Sequence, residues 1–360
     1  MMKDPFEEYI HQKEPDKAEK GYVWQTAIGL QAVDGIKTSD YLTQTAIRNI
    51  EGEIDFEEAQ VLLDNYYQEN TTHSVDDRTE EADKVAARIA QILSEKAFTF
   101  TPHEYISIHA RLFRGIYKLA GKIRDYNISK KEWVLDGKSV LYGNSFELKA
   151  ALDYDFEQEK KFSYKGLSQN EIIAHLAKFI SRLWQIHAFC EGNTRTTAVF
   201  FIKYLRYLGY EVTNDIFAEN AWYFRNALVR ANYNDLKLGV HETTEFLELF
   251  LRNLLLDEDN ELHNRSMHIS GIFKKQDIDT AKQDIEAKKQ DIEKGLSSHQ
   301  QKQFEIIAAS FGKGTVFGRS DIVKVLNITP SPASALIKKL YEAKVIEPVS
   351  GHGKGKYVIK

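Results

Sequence analysis

The chain has 360 residues, 42% hydrophobic and 28% charged, with 48 Lys and Arg against 53 Asp and Glu for a net charge of −5. That is a soluble globular composition, long enough for more than one domain, and its near-balanced charge singles out no partner. The single Cys190 excludes an intramolecular disulfide and fits a reducing cytosol. Met1–Lys20 lacks the apolar core of a signal peptide, and no run is long and apolar enough to span a membrane. A cytoplasmic protein with no membrane partner is therefore expected.

Residues 22–68 read as three short helices. The first runs from about Trp24 to Val33 and stops at Gly35. The second follows Ser39-Asp40 and stops at Gly52. The third begins at the cap signal Asp55-Phe-Glu-Glu58. Residues 69–77 are a polar linker. Further on, Asp136-Gly137 lies between Trp133-Val-Leu135 and Ser139-Val-Leu141, a strong two-residue hairpin signal in a chain that otherwise reads as helical.

Ser168 and Glu171 have capping-box spacing, and Leu167 with Ile172 has the spacing of a hydrophobic staple. Ile172, Leu176, Phe179, Ile180 and Leu183 then keep a helical period, which ends near His187. The next residues, His187-Ala-Phe-Cys-Glu-Gly-Asn-Thr-Arg195, join a possible base, a carboxylate and a Gly-Asn turn. An apolar helix follows from about Thr194. Its first N–H groups lack intrahelical partners and point into the loop, where donors and dipole suit phosphate. Glu191 is placed to hold one Mg²⁺ together with phosphate oxygens, Arg195 to neutralise charge, and His187 to take a proton from an attacking hydroxyl. His187 and Glu191 also have the four-residue spacing of ligands on one helix face, but the turn at Gly192-Asn193 argues against a continuous helix. The parts add up to in-line attack on a nucleotide phosphate.

Gln-Asp-Ile recurs at 276, 283 and 290, a seven-residue period with too thin an apolar stripe for a strong coiled coil. A solvated helical linker or a weak homodimer helix is expected there. Residues 300–360 carry ten Lys and Arg against four Asp and Glu. Helices at Gln303–Ser310 and Arg319–Leu326, and a third opened by Thr329-Pro-Ser-Pro332, precede Val345-Ile-Glu347. A Gly-rich stretch, Gly351–Gly355, separates that segment from Lys356–Ile359. The order resembles a winged helix-turn-helix, with Ser331–Ala343 as recognition helix and Lys338, Lys339, Lys354 and Lys356 as candidate DNA phosphate contacts.

The central segment resembles the Fic motif, His-x-Phe-x-Asp/Glu-Gly-Asn-Gly-Arg-x-x-Arg, in His187, Phe189, Glu191, Gly192, Asn193 and Arg195. The resemblance extends over roughly residues 100–255. It implies a mainly α fold: a Fic-type helical bundle with a β-hairpin flap, a small N-terminal helical domain and a C-terminal winged helix-turn-helix. The implied division is 1–70 antitoxin-like segment, 78–262 catalytic core, 263–298 linker and 299–360 winged helix. Most members move AMP from ATP to a Ser, Thr or Tyr hydroxyl of a target protein. By resemblance His187 is the general base and Glu191 the Mg²⁺ ligand. Gly192 and Asn193 form the anion hole with Thr194, Arg195 contacts phosphates, and Asn232 lines the adenine pocket. Val134, Leu135, Ser139 and Val140 form the flap that grips the target by strand addition.

Two departures stand out. Thr194 replaces the second motif Gly, and Ala198 replaces the second Arg, which in the family grips the γ-phosphate. A branch with Lys near position 194 transfers phosphate instead of AMP. Thr194 is neither Gly nor Lys, which leaves phosphate or another phosphate-linked group as an alternative. A DNA-binding regulator with a nucleotide-sensing core is the reading from a different class. Many members also carry an inhibitory helix, Ser/Thr-x-x-x-Glu-Gly/Asn, whose Glu pairs with the second motif Arg. Ile47-Arg-Asn-Ile-Glu51-Gly52 and Leu30-Gln-Ala-Val-Asp34-Gly35 compete for that role. The order of the three helices, with Gly52-Glu-Ile and Ala59 falling in the later steps, favours Asp34. With Ala at 198, acid–Arg inhibition is expected to be weakened or rewired.

Overall fold

The computed structural model describes residues 4–10, 14–69, 78–212, 215–272, 298–312, 314–326, 328, 330–349 and 356–360. It is mainly helical, and it divides into two units, Met1–Ile272 and Phe273–Lys360. The polar linker at 70–77, the Gln-Asp-Ile repeats and the Gly-rich stretch with Lys354 lie outside the described residues.

In the first unit, helix ends fall where side chains or glycines satisfy free backbone groups. α1 (Pro15–Gly29) has proline in its first turn and runs into a 3-10 turn, Leu30–Asp34, which closes on Gly35 at φ 68°. The helix thus begins well before Trp24, because the charged turns ahead of Trp24 carry too few apolar residues to mark a period. α2 (Asp40–Glu51) is capped by Ser39, whose hydroxyl accepts the Leu42 N–H, and stops on Gly52. α3 (Phe56–Glu69) opens on a reciprocal pair. The Glu58 N–H donates to Asp55 at 2.8 Å, and the Asp55 N–H donates to Glu58 at 2.9 Å.

Seven longer helices follow: α4 (Thr79–Ser94), α5 (Pro102–Phe113), α6 (Leu148–Lys161), α7 (Gln169–Ile186), α8 (Asn193–Tyr207), α9 (Ala221–Arg230) and α10 (Glu245–Leu256). Every residue of α8 from Asn193 to Leu205 is buried, so α8 is the axis on which α4, α5 and α7 pack. The N-terminal helices share this core. Trp24, Ala27, Leu30 and Val33 belong to the same buried cluster as Phe189 and Phe200. The Leu30–Asp34 turn rests on α4, α8 and α9. At Gly29 the chains are so close that a Cβ would sit 2.3 Å from the Ala218 Cα.

The hairpin expectation needs correction. The turn is there: Asp136 and Gly137 have φ of 54° and 78°, and the Lys138 N–H donates to Leu135 O at 3.1 Å, a type I′ geometry. Its flanks are not two paired strands, since Trp133–Leu135 is a 3-10 turn. Val134 and Leu135 are wholly buried. Neighbouring side chains of a strand face opposite ways, so both reach the core only if the strand is given up. Their side chains belong to the core. Beyond the turn the chain alternates, with Val140 and Tyr142 buried and Leu141 85% exposed.

The second unit contains α11 (Ser298–Phe311), α12 (Arg319–Leu326) and α13 (Pro330–Glu342). With them is an antiparallel sheet ordered β1 (Phe317–Gly318), β3 (Lys356–Ile359), β2 (Ile346–Pro348). Phe317 pairs with Tyr357, and Ile346 with Ile359. Ile307, Phe317, Ile322, Leu336 and Leu340 form its core, and Lys338 and Lys339 stand exposed on α13. Among the described residues no helix is long and apolar enough to cross a membrane.

Candidate active site

α7 carries His187 to the site. Ser168 and Glu171 form a complete capping box at its start, and it ends at Ile186 with His187 in the left-handed region at φ 50°. A left-handed non-glycine residue needs support from its surroundings. Buried Arg124 provides it. Its Nε donates to His187 O at 2.8 Å, its backbone N–H to Ala188 O at 2.9 Å, and its guanidinium also bonds the Tyr126 and Gly143 carbonyls.

The loop from His187 to α8 is closed from within. The Asn193 side chain donates to Phe189 O at 2.7 Å and accepts the Phe189 N–H at 2.9 Å. What Asn193 offers an anion is therefore its backbone N–H. The first intrahelical bond of α8 is Thr196 N–H to Gly192 O, so the N–H groups of Asn193, Thr194 and Arg195 precede the ladder. Gly192 lies at φ 71°, and a Cβ there would meet Phe113 Cε2 at 2.3 Å. His109 fixes the same turn. Gly121 N–H donates to its Nδ1 at 2.8 Å, which leaves Nε2–H to donate to Glu191 O at 3.0 Å, while the ring stacks on Phe189. Burial pushes the His109 pKa down to about 4, so the ring stays neutral.

The His187 ring is 3% exposed, 4.1 Å from the Tyr142 ring and 5.4 Å from Trp184 between centroids. Neither of its nitrogens has a hydrogen-bond partner among the described residues. Burial first, then the Lys130 charge, hold its pKa well below the usual histidine range, so the ring is neutral and free to accept a proton. Both covering aromatics are pinned. Trp184 Nε1 donates to the Thr194 hydroxyl at 3.0 Å, so Thr194 holds the ring beside His187 and does not cap α8. The Tyr142 hydroxyl donates to Glu132 at 3.0 Å, and wholly buried Glu132 pairs with Arg225 at 2.8 Å.

Glu191 is 60% exposed at its side chain and pairs with Lys130 Nζ at 3.2 Å. Among the described residues no three His, Cys, Asp or Glu side chains are grouped to cage a metal ion. A single exposed carboxylate fits Mg²⁺ arriving on nucleotide phosphates, because that ion keeps waters and takes only one or two protein carboxylates.

Arg195 does not stand where an exposed phosphate ligand would. Its side chain is fully buried over Phe113. One terminal nitrogen donates to Gln31 at 3.0 Å, and the other to Glu81 at 2.6 Å and Tyr117 at 2.9 Å. Its Nε lies 2.8 Å from Asp34 Oδ2, an ion pair bent away from hydrogen-bond geometry. Asp34 therefore has an arginine partner despite Ala198, and that partner is the first motif arginine. Asn232 is likewise occupied. Its amide donates to Ser181 O at 3.0 Å and Leu228 O at 2.9 Å, tying α9 to α7.

Glu81 yields a pH prediction. Burial alone would raise its carboxyl, but bonds from Arg78 and Tyr117 and the Arg195 charge outweigh that and hold it down to about 2, against an ordinary 4.5. A carboxyl depressed by folding stabilises the fold above its unfolded value, and the contribution is lost as pH falls through the folded one. Glu81→Gln is expected to lower the Tm at neutral pH and to converge on wild type between pH of about 4.5 and about 2. Parallel Tm curves over that window would contradict it.

Gln31, Glu81, Arg124, Lys130, Glu132, Tyr142 and Trp184 all shape the site and are not legible in the motif. The Asp136-Gly137 turn signal between Lys130 and Tyr142, and the Leu30–Gly35 segment that holds Gln31, marked part of their neighbourhood.

Residues 99–205 match the model of the Fic/DOC family. Over 136 residues the chain is 29% identical to the probable protein adenylyltransferase y4lH of Sinorhizobium fredii (strain NBRC 101917 / NGR234). That match covers 37% of this chain and 65% of that protein, so under two thirds of the relative is spanned. Among solved structures, the N-terminal FIC domain of Bep8 from Bartonella sp. 1-1C aligns with a TM-score of 0.39 at 19% identity, over 51% of this chain and 88% of that one. A Fic family protein from Desulfovibrio desulfuricans G20 aligns with a TM-score of 0.37 at 11% identity, over 93% of this chain and 96% of that one.

Proposed function

We propose that this chain transfers AMP from ATP to a Ser, Thr or Tyr hydroxyl of a target protein, and that its Leu30–Asp34 turn restrains the reaction. One observation carries the reading. A neutral, buried histidine with both ring nitrogens unpartnered sits one loop away from the unpaired N–H groups that open α8.

The acceptor hydroxyl oxygen bonds to the α-phosphorus and its proton passes to a His187 ring nitrogen. The bond from that phosphorus to the α,β-bridging oxygen breaks, and pyrophosphate leaves. The N–H groups of Asn193 and Thr194 meet the phosphate charge without having to reorient. Mg²⁺ held by Glu191 would neutralise phosphate oxygens. Tyr142 must withdraw for an acceptor to reach His187, and it stands on the extended 139–142 segment. Ser139, Val140 and exposed Leu141 are placed for a target strand to lie alongside.

The restraint rests on Asp34 and Gln31, which reach Arg195 from the same short turn. The rewired pair uses the arginine nearest the anion-binding N–H groups. Transfer of label from ATP tests the chemistry. Label at the α-phosphate is expected to follow the modified protein and label at the γ-phosphate to leave it. Retention of γ-label alone would replace this reading with phosphate transfer, the alternative raised by Thr194.

A further inference from the structure

The nucleotide phosphates need more positive charge than the motif supplies. Arg195 is enclosed by Gln31, Asp34, Glu81 and Tyr117, and position 198 is a buried alanine. A different cation touches the loop. Lys130 Nζ lies 3.2 Å from Glu191 Oε2, with 31% of its side chain exposed. Its charge also reaches His187, where it is the largest influence after burial. Lys130 thus touches the candidate metal carboxylate and acts by its charge on His187. Its backbone is tied to the segment that covers the base, because its N–H donates to Ser139 Oγ at 3.2 Å.

We propose that Lys130 is a further catalytic residue. Its ammonium pairs with Glu191 while that carboxylate has no divalent cation, and it turns to a phosphate oxygen of the nucleotide when the carboxylate is given up to one. The proposal rests on the adenylyl-transfer reading above. An exposed lysine–carboxylate pair contributes little to stability, so little opposes the exchange of partners. Lysine suits it, being a compact charge on a flexible four-carbon stem. On the nucleotide the ammonium offsets charge that builds on the leaving pyrophosphate, a part that needs a cation and no proton transfer.

The test uses the full chain, with and without Asp34→Ala, as Lys130→Ala and Lys130→Arg. Two quantities are read. The first is the Mg²⁺ concentration that half-saturates calorimetric binding of an ATP analogue with a methylene in place of its α,β-bridging oxygen. The second is kcat for AMP transfer. Lys130→Ala is expected to lower the Mg²⁺ half-saturation about threefold, because a competing cation is gone. It is expected to lower kcat by about 100-fold. Lys130→Arg is expected to recover kcat to within about tenfold of wild type, since the charge is kept and the geometry changed. Unchanged Mg²⁺ half-saturation, or kcat within about threefold of wild type, would overturn the proposal. Failure of the adenylyl-transfer reading looks different. Wild type then incorporates no AMP, while the Mg²⁺ titration still separates the lysine variant from it.

Discussion

Replacing His187 with alanine is expected to cut AMP transfer by about 10²- to 10⁴-fold while leaving MgATP affinity within about threefold of wild type. The ring is poised for proton transfer and for little else, being buried, neutral and without a hydrogen-bond partner. Among the described residues no neighbour is placed to substitute. Glu191 is paired with Lys130, and Glu132 is enclosed by Tyr142 and Arg225 with a pKa that burial raises. The groups of Asn193 and Thr194 proposed to meet phosphate are backbone N–H groups, so they survive the substitution. Because position 187 lies at φ 50°, His187→Asn is the better control for folding. Asparagine tolerates that conformation and still lacks the base. A kcat within tenfold of wild type in both variants would show that the proton goes elsewhere.

Asp34→Ala is expected to act in the other direction, raising AMP transfer by about 5- to 150-fold, the usual span of coupling between two sites. Arg195 keeps Gln31, Glu81 and Tyr117 after the change, so the core retains a hydrogen-bonded arginine. What is lost is the ion pair that fastens the Leu30–Asp34 turn beside the N-terminal end of α8. Gly29→Ala approaches the same state from the packing side, because its Cβ would collide with the Ala218 backbone at 2.3 Å. Both variants are expected to bind ATP more tightly in calorimetry. Unchanged ATP affinity and unchanged transfer in Asp34→Ala would remove the restraint from the account.

The order of the chain explains what could be read from it. Capping is local, so Ser39, Asp55 with Glu58, and Ser168 with Glu171 announced helix starts that the structure contains. The turn at Asp136-Gly137 is equally local. Its neighbours Val134 and Leu135 were misplaced because only burial against the rest of the core decides between strand and 3-10 turn. The site was legible where its residues are contiguous. The burial of Arg195 was not legible because its partners come from three distant places: Gln31 and Asp34, Glu81, and Tyr117. The tie of Asn232 to Ser181 on α7 was hidden for a similar reason. Spacing along one chain says nothing about contacts of that kind. Thr194 reads as a defect in a motif and acts, through Trp184, as part of the wall around the base.

The measurement that bears most directly on the central claim is intact mass after incubation with Mg²⁺-ATP and a lysate. It compares wild type, Asp34→Ala and His187→Asn, following both this chain and the proteins it meets. The account predicts a gain the size of AMP, larger with Asp34→Ala and absent with His187→Asn. A gain the size of phosphate, or an AMP-sized gain that persists in His187→Asn, would contradict it.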